Sequence, residues 1–109
     1  MIDNYEQAIA LLEKMKAHLP IPLITTKELV NSLRQNKIEV SNDYTYKIKS
    51  VLYIGDEGGI CCDVSLPNGS QEAMITSLTH LRVHPRHPLS KEIKGYQKKR
   101  IKKLKKQQW

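Results

Sequence analysis

A chain of 109 residues with 39% hydrophobic and 27% charged side chains is long enough for one folded domain and too short for two ordinary ones. Its formal net charge is +7. No apolar run approaches the roughly 18 residues of a membrane-spanning helix, and the N-terminal MIDNYEQ lacks the basic flank and apolar block of a secretory signal. Adjacent cysteines, Cys61 and Cys62, rarely bridge each other and supply no disulfide framework. A cytoplasmic home is the expectation.

From the N-terminus, Asp3 with Glu6 resembles a capping box, and Tyr5, Ala8, Ile9, Leu12, Met15 and Leu19 follow at helical spacing, which predicts a helix over 4–18. Pro20 and Pro22 end it and favour an extended connector. Thr25 and Glu28 repeat the capping pattern before a second helix whose short apolar face is Leu29, Val30 and Leu33. From Tyr44 the composition turns aromatic and β-branched. YTYKIKSVLYI and ICCDVSL alternate like strands on either side of a GDEGG reversal, with Cys62 inward and Cys61 on the opposite face. PNGS is a turn, because Pro67 presets one dihedral and Asn68-Gly69 tolerates positive φ. EAMITSLTHLRV has the composition of a third strand. HPRHP then breaks regular structure, and Ser90 can cap a last helix with Leu89, Ile93, Tyr96 and Leu104 on a narrow stripe.

The reading is an α+β fold: two N-terminal helices packed on a three-stranded antiparallel meander over residues 1–88, followed by a basic C-terminal helix over 89–109. The meander with its glycine turn, residues 45 to 84, resembles the strongly bent sheets of SH3-like small barrels, which usually have five strands. An alternative is a winged helix-turn-helix. Val40, Tyr44, Ile48 and Val51 are spaced as on a helix over 42–53, and the later hairpin would be the wing.

Charge is distributed unevenly. Residues 91–109 carry nine cations against Glu92 alone, whereas residues 1–90 carry nine cations against ten acids. Cations this dense repel one another unless an anionic surface relieves them, and a phosphate backbone does so with release of counterions. The residues assigned to phosphate are Lys94, Lys98, Lys99, Arg100, Lys102, Lys103, Lys105 and Lys106, with Arg82, Arg86 and Tyr96 in support. Lysine predominates, and a point charge without arginine's fork suits backbone attraction better than base readout. The function expected is non-catalytic nucleic-acid binding, RNA or a ribonucleoprotein ahead of DNA. An adaptor that docks an acidic protein through Ile93, Tyr96, Ile101 and Leu104 is the alternative. An open sheet edge also offers a place for a homodimer.

Other constellations are weaker. His80, His84 and His87 form H-x3-H-x2-H, which matches no strong metal pattern. Asp56 and Glu57 sit side by side in a glycine turn, where both carboxylates are expected to be solvated rather than poised for acid–base work. No cofactor, metal or catalytic residue is assigned.

Overall fold

Asn4, not Asp3, caps the first helix. In the computed structural model, which describes residues 3–67 and 73–107, the Asn4 side chain accepts a hydrogen bond from the Gln7 N–H at 3.0 Å and starts α1, Tyr5–Ala17. Asp3 turns its carboxylate into the protein. Ala8, Leu11, Leu12 and Met15 form the buried stripe of α1, which lies against β2, Lys47–Tyr53. Lys14 and Lys16 fall in its last turn, where cations offset the helix dipole.

The proline-flanked stretch after α1 is more than a connector. It holds β1, Ile21–Pro22, whose Ile21 pairs with Ile48 of β2. Two residues are too few for alternation to register, and Pro22 lacks the donor a central strand needs. Thr26 then caps α2, Lys27–Gln35, its hydroxyl accepting from the Leu29 N–H at 3.2 Å. The helix therefore begins one residue later than the T-x-x-E spacing predicts. Leu29 and Leu33, one turn apart, are fully buried.

β2, β3 (Ile60–Val64) and β4 (Ile75–Ser77) complete a four-stranded antiparallel sheet in sequential order. Because residues 47–53 are strand, no third helix precedes the hairpin and the winged-helix arrangement is absent. The register Val51–Cys62–Thr76 sends Val51 and Cys62 to the core. The third strand of the sequence reading proves to be the fourth, and shorter. Ser77 Oγ accepts from the Thr79 N–H at 3.3 Å and diverts the chain into a 3-10 turn, Leu78–His80. The chain then crosses to the other edge of the sheet, where Val83 bridges Leu23 and the Ile24 N–H donates to the Arg82 carbonyl at 2.8 Å. The expected Asn68-Gly69 turn lies outside the described residues.

One core joins these pieces: Leu12 and Met15 of α1, Leu29 and Leu33 of α2, Ile48, Ile60, Cys62 and Val64 of the sheet, and Leu81, Leu89 and Ile93 beyond it. No described helix is long and apolar enough to cross a membrane.

Candidate nucleic-acid interface

The lysine-rich segment forms α3, Ser90–Gln107, about 27 Å long at 1.5 Å per residue. Its rotation is fixed from within. Ile93 is buried in the core, a contribution of roughly 1.5–3 kcal/mol. One turn on, Gln97 Nε2 donates to the Leu78 and Leu81 carbonyls, both at 2.7 Å. These two carbonyls belong to the 3-10 turn and its exit, so Gln97 closes backbone groups that lie away from water.

Arg100 is the third anchor. Its Nη1 donates to Asp3 Oδ2 at 3.0 Å and its Nη2 to the Asp56 carbonyl at 2.7 Å. The Asp3 and Arg100 side chains are each only 3% exposed. The same Asp3 oxygen accepts from the hydroxyls of Tyr96 at 2.9 Å and Tyr53 at 3.1 Å. The Tyr96 hydroxyl in turn accepts from the Ile60 N–H at 2.9 Å. Burial pushes the Tyr53 and Tyr96 hydroxyls above their ordinary pKa, and the nearby Asp3 charge adds to it, so both remain donors at neutral pH. Gly59, at φ 63°, lies under this cluster. A Cβ there would meet the Tyr96 hydroxyl, the Arg100 guanidinium and the Asp3 carboxylate, so close approach and left-handed backbone both require glycine.

With Ile93, Gln97 and Arg100 turned inward, the other side of α3 is set. At about 100° per residue, Lys91, Lys94, Lys98, Lys99, Lys102, Lys103, Lys105 and Lys106 fall within an arc of about 180°, and all eight are exposed. Among the described residues none of them makes an ion pair. Glu92 does not relieve them, because it pairs with Lys14 of α1 at 3.0 Å.

The structure thus brings together seven of the assigned cations, Lys94, Lys98, Lys99, Lys102, Lys103, Lys105 and Lys106, and adds Lys91. Arg100 stands apart from this set. It interrupts the apolar stripe of α3, and a charge on a buried stripe calls for a partner. It is also the only arginine among the cations of residues 91–109, the type best suited to a buried pair. Those two signals were available in the sequence; the identity of the partner, 97 positions away, was not. Tyr96 has its hydroxyl engaged and lines a cleft beside α1. Arg82 Nη1 donates to the Thr79 and Leu81 carbonyls at 3.1 and 2.8 Å, yet the side chain still lines a cleft with Lys105. Arg86 is exposed on the turn before α3. Trp109 lies outside the described residues.

The remaining candidates disperse. His80 Nδ1 is 3.5 Å from Glu28, His84 accepts from the Arg86 N–H, and His87 accepts from the Leu89 N–H and stands edge-on to His18. No group of three metal-ligating side chains occurs among the described residues. Cys61, expected on the open face of β3, is buried like Cys62, since the Gly58 turn closes against its sulfur. Burial raises both thiol pKa values, which leaves neither a ready nucleophile. No family model matches the chain, no curated protein is detectably similar to it, and no solved structure matches its fold.

Proposed function

We propose that this protein is a non-catalytic RNA-binding module in which α3 lays its lysine-covered side along a phosphate backbone. The observation that carries the reading is the eight exposed lysines, without a carboxylate partner among the described residues, on one half of a helix whose other half is locked into the core. Self-repulsion among them is relieved by an external polyanion, and a rigid helix presents them with no ordering cost for its backbone.

Lysines distributed over so wide an arc attract phosphates without reading base edges. This favours RNA or a ribonucleoprotein surface over a specific DNA site. The adaptor reading loses its apolar contact surface, because Ile93 is wholly buried and Tyr96, Ile101 and Leu104 are partly covered. In the same proposal the sheet is an SH3-like small barrel. The sequential four strands, the 3-10 turn after β4 and the Leu23–Val83 bridge support that assignment by supplying the pairing a fifth strand would make.

The test replaces Lys98, Lys102, Lys105 and Lys106 by glutamine and measures single-stranded RNA binding by fluorescence anisotropy across a salt series. Loss of four contacts should weaken binding at every sequence and flatten the slope of log K against log salt by about 2.8. Unchanged affinity in the folded variant removes α3 from the interface.

A further inference from the structure

Between α1 and α3 runs a cleft of about 370 Å³, at the small end of the roughly 300–1,000 Å³ typical of ligand pockets. We infer that this cleft receives one unstacked base of a single-stranded RNA whose flanking phosphates lie on Lys99 and Lys103; the inference rests on the phosphate-binding reading of α3. The chemistry of the walls argues for this occupant. Ala8, Leu11 and Gly95 give it small or apolar lining, Tyr96 an aromatic one, Asn4 and Gln7 polar groups, and Lys99 and Lys103 cations. Other charges in the lining are neutralised in pairs, Lys14 with Glu92 and Asp3 with Arg100. Lys99 and Lys103 make no ion pair among the described residues. The cleft therefore combines apolar and aromatic lining with two cations outside those pairs, the complement of a flat base carried on a phosphodiester.

Two details sharpen the match. The Tyr96 ring is held at its tip, the hydroxyl donating to Asp3 and accepting from Ile60, so the aromatic surface is in place before a base arrives. Stacking of this kind accepts any base, since each has a π-face. Gly95 is the second detail. Glycine is unfavourable inside a helix, and neither backbone nor close packing asks for it here: no positive φ occurs at Gly95 and nothing lies within 4 Å of a Cβ built on it. A side chain at this position would instead occupy the cleft. Duplex RNA keeps its bases stacked, so the occupant is a single strand.

The experiment compares an oligouridylate with an abasic ribose-phosphate oligomer of equal length, using the full chain and its Gly95→Leu variant, with anisotropy as the readout. The wild type should bind the oligouridylate about tenfold more tightly than the abasic oligomer. Gly95→Leu should bind both as the wild type binds the abasic one, while melting no lower than wild type, because leucine is the better helix former. Should that variant melt early, Ala10→Leu on the exposed α1 wall of the same cleft carries the test in its place. Equal wild-type affinity for the two oligomers, or a tenfold preference that survives the filled cleft, overturns the base site alone. Failure of the wild type to bind either oligomer overturns the phosphate reading beneath it.

Discussion

Replacing Asp3 by asparagine removes one charge and almost no volume, and it should be among the most damaging single changes in this protein. Arg100 would remain 3% exposed without its paired carboxylate, keeping the Asp56 carbonyl at 2.7 Å and a neutral amide. Breaking a buried pair from one side costs about 3–5 kcal/mol. The surviving carbonyl bond and two tyrosine hydroxyls argue for the lower end, about 3 kcal/mol. For a domain near this size each kcal/mol lowers Tm by about 4 °C or more, so a fall of at least about 12 °C is expected. Arg100→Met leaves the Asp3 carboxylate buried but still accepting from Tyr53 and Tyr96, and should cost somewhat less. The double variant discards both charges. Its loss should be smaller than the sum of the singles by about 1–3 kcal/mol, the range for residues in one network. Urea denaturation followed by circular dichroism measures all four proteins. Additive losses, or an Asp3→Asn penalty under about 1 kcal/mol, would mean that the pair is solvated and does not set the rotation of α3.

Three further outcomes follow from the same cluster and its neighbours. Gly59→Ala should destabilise by about 1–2 kcal/mol from its left-handed backbone alone, and further from collision with Tyr96, Arg100 and Asp3; denaturation of this variant beside Gly55→Ala, where a Cβ meets nothing, isolates the steric part. Gln97→Leu should cost about 1–3 kcal/mol by removing two interior hydrogen bonds, leaving the Leu78 carbonyl to the Leu81 N–H and the Leu81 carbonyl to Arg82 alone, read as a lower urea midpoint with unchanged slope. Alkaline pH should destabilise the fold. Tyr96 and Cys62 both have raised pKa values when folded, so above pH 9 to 10, the ordinary range of these groups, the unfolded chain releases protons that the native state retains. Stability is then full below that range and falls as pH rises through it; Tyr96→Phe should make the decline shallower, and an unchanged profile would count against the buried hydroxyl.

Local signals in the sequence located most elements. The apolar spacing of Ala8, Leu12 and Met15 gave α1 within a residue at each end, and the alternation around GDEGG gave the β2–β3 hairpin with Cys62 inward. Features that depend on a distant partner were not legible. β1 is two residues long and exists because Ile48 is there to pair with it. Asp3 reads locally as a cap, yet an arginine 97 positions on competes for its carboxylate and Asn4 takes the capping role. Cys61 alternates outward, but the Gly58 turn closes against its sulfur, which no periodicity records. For the lysines, composition revealed their excess. Only the three inward anchors, Ile93, Gln97 and Arg100, reveal that they share one side of the helix.

The most direct test of the account is the affinity of the folded protein for a short single-stranded oligouridylate between about 50 and 200 mM salt. If a strand engages about five phosphates along α3, log K should fall against log salt with a slope near −3.5. No measurable binding at the low end, or an affinity indifferent to salt, would contradict it.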